Sequence, residues 1–191
     1  ATGCIAAYMK KEGCFDEKFN NPEFIYRKES TDSIIERIDA PYIVGFSCCI
    51  WNHNFNLELA EKIKNKYPDC TVIFGGHNVT RDNSLLKKHP FIDILVFGEG
   101  EKSFTEAAIK TADGLNLKDT CNISYRKNGI IFSTPYVPPC EITDFPSPYL
   151  SGIFNRILAK EDHSSLLCVL ETNRGCPYSC SYCDWCAGKS V

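Results

Sequence analysis

The sequence predicts an α/β domain built on a doubly wound parallel sheet. Three observations carry this. Short, continuous apolar runs alternate with stretches of helical periodicity along the first 115 residues. Those apolar runs lack the polar alternation of a half-solvated strand, so both faces of the sheet should be covered. Each run also ends in glycine or a small polar residue, as a strand does where it turns toward a helix.

The elements follow in order. "ATGCIAAYMKKEG" reads as a helix, with Ile5, Tyr8 and Met9 at helical spacing. "FIYR" (24–27) is a short strand candidate. "STDSIIERID" is a helix with Ser30 or Thr31 as N-cap and Pro41 just past its end. "YIVGFSC" (42–48) is a buried strand. In "NFNLELAEKIKNKYPD", Phe55, Leu59, Ile63 and Tyr67 share one helical face, and Pro68 closes the helix. "CTVIFGG" (70–76) is the next strand. Asp82 is placed to cap the short helix "NSLLKKH", which stops before Pro90. "IDILVFGEGE" (92–101) is a further buried strand running into a glycine turn. "SFTE" (103–106) has the pattern of a capping box, ahead of a helix carrying Phe104, Ala107, Ala108 and Ile109.

After residue 115 the pattern changes. "NISYRKNGIIFSTP" is a β-hairpin with Asn128-Gly129 as a type I′ turn. "PYVPPCEITDFPSPYLSG" places five prolines in eighteen residues and reads as an extended linker. A polar helix over 153–160 and an apolar strand over "LLCVLETN" complete the chain as far as the stretch "RGCPYSCSYC" (174–183). The expected segments are therefore 1–115, 116–152 and 153–191. The chain opens on a helix where such a domain ordinarily opens on a strand, so a first strand is expected upstream of Ala1.

Composition narrows the function. A net charge of −3 gives no electrostatic basis for nucleic-acid binding. No apolar run approaches the roughly 20 residues of a membrane span. The N-terminal lysines follow the apolar stretch, the wrong order for a signal peptide. Twelve cysteines is a high count. Cys48, Cys49, Cys70, Cys121 and Cys168 lie in strand-like runs and read as buried thiols in a reducing cytoplasm. Cys176, Cys180 and Cys183 differ, because they crowd one loop with the spacing C-x3-C-x2-C. A structural zinc site or a fully ligated 4Fe–4S cluster takes four protein ligands. Three thiolates leave one metal position open. Cys186 is a fourth nearby thiol, which keeps a zinc site or an electron-transfer cluster as an alternative.

The string C-x3-C-x-Y-C within "RGCPYSCSYC" resembles the signature of radical S-adenosylmethionine (SAM) enzymes. The resemblance implies that Cys176, Cys180 and Cys183 hold a 4Fe–4S cluster whose open iron chelates the amino and carboxylate groups of SAM. It places Tyr182 near the adenine and implies one-electron cleavage of SAM to a 5′-deoxyadenosyl radical. In this family the protein positions the cofactor and excludes side reactions.

Ligands of doubly wound sheets bind at the C-terminal ends of the strands. Those ends are "GFSCCIWN" (45–52), "GGHNVT" (75–80) and "GEGE" (98–101). In this order, ahead of the cysteine loop, they resemble the Rossmann/flavodoxin-like N-terminal domain of cobalamin-dependent radical SAM enzymes. The resemblance covers nearly the whole chain. It implies corrinoid contacts at Ser47, Gly75, Gly76, Thr80, Gly98, Glu99, Gly100 and Glu101, and at Trp51 and Asn52. No D-x-H-x-x-G string for a histidine cobalt ligand is present, and His53 and His77 are candidates only. The implied cofactors are cobalamin, a 4Fe–4S cluster and SAM. The implied partners are an unnamed substrate and a reductant such as flavodoxin or ferredoxin.

A (β/α)8 barrel takes about 250 residues, and eight follow Cys183. The expectation is a truncated radical SAM domain in 153–191, without turnover by itself. Methyl transfer is the reaction expected of the whole enzyme. The alternatives are a methylthiotransferase, whose α/β domain holds a second cluster on strand-end cysteines, and a non-catalytic corrinoid-binding module.

Overall fold

The computed structural model describes residues 1–15, 19–20, 22–27, 29–138, 142–160, 167–171, 174, 178 and 180–182. Five strands form one mixed sheet in the order of the chain: β1 (Ile43–Ser47), β2 (Thr71–Gly75), β3 (Ile94–Val96), β4 (Ile123–Lys127) and β5 (Ile130–Ser133). The first three are parallel, with Ile43 opposite Thr71 and Ile73 opposite Ile94. The hairpin β4–β5 continues the sheet antiparallel to β3, with Val96 opposite Ile123. The helices are α1 (Thr2–Lys11), α2 (Thr31–Arg37), α3 (His53–Lys66), α4 (Ser84–Lys88), α5 (Gly100–Ala112) and the single turn α6 (Asn155–Leu158). No helix among the described residues is long and apolar enough to cross a membrane.

The continuous apolar strands are explained by burial on both faces. Along β2 the side chains alternate. Val72 and Phe74 enter a core with Ala60 of α3, Leu86 of α4 and Leu95. Ile73 points the other way, to Ile94, Val96, Ala107 of α5, Ile123 and Tyr125. Each fully buried Val, Leu, Ile or Phe among these contributes about 1.5–3 kcal/mol. Helix α1 covers α5, with Ala6 and Met9 in one buried cluster with Ala108. Helix α2 is capped as expected, Ser30 Oγ accepting from the Ser33 N–H at 3.1 Å. It seals the outer face of α3, where Ile34 meets Leu59 and Ile63. Phe55 and Tyr67 pack on the same cluster, so the predicted face of α3 is the buried one.

Several expectations are corrected. Residues 24–27 form no strand. The expected strand over 92–101 is paired only at Ile94–Val96. No capping box forms at 103–106: α5 already begins at Gly100 with Glu99 as N-cap, which puts Ser103 in the buried interior of the helix. Asp82 does accept from the Ser84 N–H at 3.0 Å, although Asn83 holds the N-cap position of α4. The proline-rich segment is not extended throughout. Residues 142–144 form a short 3-10 turn, and the segment folds back on α1. There Lys10 Nζ donates to the Ser151 carbonyl at 2.7 Å and Tyr8 packs edge-on against Phe145. The described part of the last expected strand, 167–171, pairs with no sheet, and Leu167, Val169 and Leu170 are exposed. Its apolar pattern suits a strand, but it joins neither edge of the sheet, β1 or β5. The hairpin turn is as expected, with Asn128 at φ 51° and Gly129 at φ 77°.

Candidate functional site

Because β1, β2 and β3 are parallel, their C-terminal ends lie at one edge of the sheet. Residues 48–52, 76–80 and 97–100 therefore form one cluster of loops. The topology brings together the three strand ends singled out from the sequence.

The first two loops are locked to each other by backbone. Cys48 N–H donates to the Gly75 carbonyl at 2.6 Å, and Asn78 N–H donates to the Cys48 carbonyl at 3.1 Å. Gly76 sits at φ +104°, and a Cβ there would lie 2.7 Å from the Cys48 oxygen and 2.9 Å from its nitrogen. Only glycine permits this approach without displacing backbone. Asn52 closes the β1 loop, its Nδ2 donating to the Ser47 carbonyl at 2.9 Å and its Oδ1 accepting from the Cys49 N–H at 2.7 Å. Asn56, one turn into α3, donates to the same Ser47 carbonyl at 3.2 Å. His53 Nδ1 lies 2.9 Å from Asn78 Nδ2 and 3.6 Å from Cys48 Sγ. Cys48 is fully buried, and burial pushes its thiol pKa up, partly countered by the hydrogen bond from Asn56.

Between these anchors the loops are open. Ile50 and Trp51 are 80% and 82% exposed, a large apolar surface beside the strand ends. His77 and Thr80 are exposed, and Thr80 Oγ1 donates to Asp82 Oδ1 at 2.8 Å. On the third loop Gly98 is at φ +67°, and a Cβ there would lie 3.8 Å from the Tyr136 ring. Tyr136 in turn lies under the Arg81 guanidinium, 3.4 Å from ring centre to cation. Asn122 holds that segment in place through paired bonds to Val137 at 2.7 and 3.0 Å.

Glu99 and Glu101 have separate environments. Glu101 is 4% exposed and pairs with Arg174 at 2.6 Å. Glu99 Oε2 is buried without a hydrogen-bond partner, 3.4 Å from Arg174 Nη1. Desolvation raises the Glu99 pKa, against the pull of Arg174. Gly100 opens α5 and packs on Ile5.

Of the cysteine stretch, Cys180 is exposed and Tyr182 is 90% exposed. Cys176 and Cys183 lie outside the described residues, as does Cys186. Among the described residues, no group of three or more His, Cys, Asp or Glu is gathered as a metal site.

Sequence reasoning missed Asn56, Asn78, the Arg81–Tyr136 stack and the partners of Arg174. Asn56 had a local signal, since it lies one helical turn from Asn52. Glu171 lies three residues before Arg174, and the others are joined by contacts between distant segments and had none.

The donor set fits a large amide-fringed ligand such as a corrinoid. It offers backbone at the strand ends with no side chain at Gly75 or Gly76, an exposed aromatic at Trp51, and a buried carboxyl oxygen without a hydrogen-bond partner at Glu99.

Comparison with known proteins agrees. Residues 4–108 match the family model of the B12 binding domain. The chain is 34% identical over 174 residues to the cobalamin-dependent radical SAM methyltransferase TokK of Streptomyces tokunonensis, covering 87% of this chain and 25% of that protein. It is 30% identical over 193 residues to the 2-(S-pantetheinyl)-carbapenam-3-carboxylate methyltransferase of Streptantibioticus cattleyicolor, covering 96% of this chain and 28% of the relative. The chain thus spans about a quarter of the length of these curated relatives. Among solved structures, the cobalamin-dependent SAM radical enzyme OxsB superposes with a TM-score of 0.58 at 19% identity, over 80% of this chain and 21% of that one. The radical SAM methyltransferase TsrM of Kitasatospora setae does so at 0.52 and 16%, over 70% and 26%. These two likenesses bear on the fold alone. On its family match and its curated relatives, the chain belongs to the B12-binding domain family and is homologous to cobalamin-dependent radical SAM methyltransferases.

Proposed function

We propose that this chain is the cobalamin-binding part of a radical SAM enzyme that transfers a methyl group. The observation that carries the reading is the single loop cluster at the C-terminal edge of β1–β3, with Gly76 pressed against the Cys48 backbone. When bound, the corrinoid would supply a methyl carrier, and a 4Fe–4S cluster on Cys176, Cys180 and Cys183 would supply the electron that cleaves SAM. A flavodoxin or ferredoxin would deliver that electron.

The chain's own residues then have assignable work. Ser47, Gly75 and Gly76 form the floor that a broad ring system lies against. Asn52 and Asn56 hold the Ser47 carbonyl, so that floor is preorganised. Trp51 offers an apolar face, and Thr80 and Gly98 line the adjacent loops. Glu99 Oε2, buried without a hydrogen-bond partner, is an acceptor for an amide N–H of the ligand. His77 is exposed at the rim. Gly100 and Glu101 act from behind, seating α5. Tyr182 would stack near the SAM adenine.

The methylthiotransferase alternative needs thiolate ligands at the strand ends. Cys48 and Cys49 lie on the first of these loops, but 76–80 and 97–101 carry no cysteine.

The test is an anaerobic titration of the purified 191-residue chain with hydroxocobalamin, following the corrin bands in the retained protein fraction. Stoichiometric binding is expected. Absence of binding overturns the cobalamin assignment. Reconstitution with iron, sulfide and SAM is expected to give no 5′-deoxyadenosine above the blank. Product above the blank would refute the expectation that this chain alone has no turnover.

A further inference from the structure

Arg174 lies two residues before Cys176 and 73 residues beyond Glu101, yet the two are joined. Its Nη2 donates to Glu101 Oε1 at 2.6 Å and to Glu171 Oε2 at 2.9 Å, and its Nε donates to Glu171 at 3.1 Å. Its Nη1 is 3.4 Å from Glu99 Oε2. The far side of the guanidinium faces the Phe145 ring at 4.9 Å. The Arg174 side chain is 14% exposed, and those of Glu101 and Glu99 are 5% and 18% exposed. Burial opposes the Arg174 charge, but the bonds to Glu101 and Glu171 outweigh it.

A pair this buried is a poor source of net stability, because desolvating both ions costs about what their attraction returns. Its consequence is geometric. Glu101 sits in the first turn of α5, on the loop that ends β3. Leaving it charged and unpaired in that interior would be costly. Arg174, through its planar fork, serves two segments at once, which a lysine cannot reproduce. The apolar run just before it buries no side chain at Leu167, Val169 or Leu170, and is held at Val169, whose carbonyl accepts from the Tyr149 hydroxyl at 3.0 Å and whose N–H donates to it at 3.2 Å.

We infer that Arg174 is a positioning residue that fastens the cysteine stretch to the 98–101 turn. It thereby sets the point from which the chain enters the cysteine stretch, beside the strand-end loops. That those loops and that stretch serve a corrinoid and a cluster rests on the function proposed above, whereas the fastening itself does not.

The test uses the 191-residue chain and limited proteolysis, which reports local opening. Trypsin cuts after Arg174 itself, and chymotrypsin cuts after Tyr178. Alkylation of the buried Cys48 monitors the fold. In Glu101→Gln, cleavage after Arg174 should quicken by at least about tenfold, the cut after the exposed Lys160 staying unchanged. Arg174→Gln should quicken the Tyr178 cut by a similar factor, and Arg174→Lys should recover part of the protection. The double variant Arg174→Gln/Glu101→Gln should be no faster than Arg174→Gln alone. Rates within twofold of wild type in both single variants overturn the inference. So does a double variant showing the product of the two single effects. Loss of Cys48 protection in every variant would make the pair a folding element and also overturns it. A parallel hydroxocobalamin titration separates the two claims: if wild type binds none while the proteolysis result holds, the function fails and the fastening stands.

Discussion

Gly76→Ala should be far more damaging than one added methyl group suggests. At φ +104° an L-residue is strained, at about 1–3 kcal/mol. The new Cβ also meets backbone, 2.7 Å from the Cys48 oxygen and 2.9 Å from its nitrogen. Neither atom can yield freely, because one accepts from Asn78 N–H and the other donates to the Gly75 carbonyl. Losing those two bonds adds about 1 kcal/mol each. The total is about 3–5 kcal/mol, against the roughly 5–15 kcal/mol that holds a domain folded. For a chain of this size that corresponds to a fall in Tm of about 6–20 °C. Gly114 is the internal control. It also has a positive φ, +65°, but a Cβ there meets nothing within 4 Å. Gly114→Ala should therefore cost only about 1 kcal/mol. Calorimetry of both variants isolates the clash from the strain, and hydroxocobalamin affinity should fall at least about tenfold in Gly76→Ala alone. Equal Tm values for the two variants would refute the argument that the strand ends are locked backbone to backbone.

Asn52→Ala removes the bridge between Ser47 and Cys49 and should cost about 1–3 kcal/mol in urea unfolding. Asn52→Asp should fare no better, since it sets a carboxylate oxygen against the Ser47 carbonyl. Native-state iodoacetamide labelling at pH 8 should modify Cys180 and spare Cys48 and Cys70, as mass spectrometry will show. Cys180 is exposed, Cys48 is fully buried, and burial pushes the Cys70 thiol up to about 11. Asp82 is held down at about 2 by hydrogen bonds from the Ser84 N–H and the Thr80 hydroxyl. Its folded pKa lies below its unfolded value of about 4. Its contribution is therefore present above pH 4 and lost as pH falls toward 2. Acid unfolding followed by circular dichroism should show a shallower limb in Asp82→Asn over that window.

The helix faces and buried strands were legible because they depend on period alone. Leu59 and Ile63 fall on one side of α3 whatever surrounds it, and Val72, Ile73 and Phe74 are apolar together because both sheet faces are covered. The hairpin turn was legible because Asn128-Gly129 accepts positive φ at both positions. The glycines at the strand ends and the cysteine spacing were legible as patterns, and the family match over 4–108 bears on the domain as a whole. Local rules failed where a neighbour supplied what the rule assumed missing. Ser103 has the sequence context of a cap, but α5 begins three residues earlier, at Gly100. Residues 167–171 have the composition of a strand, but a strand exists only with a partner, and composition does not name one. By itself the sequence determined which residues are apolar, at what period, and where the backbone can turn. Only the tertiary structure decided that Gly76 touches Cys48, that Tyr136 stacks beneath Arg81, and that Arg174 reaches Glu101. Those contacts join residues far apart in the chain, where neither spacing nor propensity carries information.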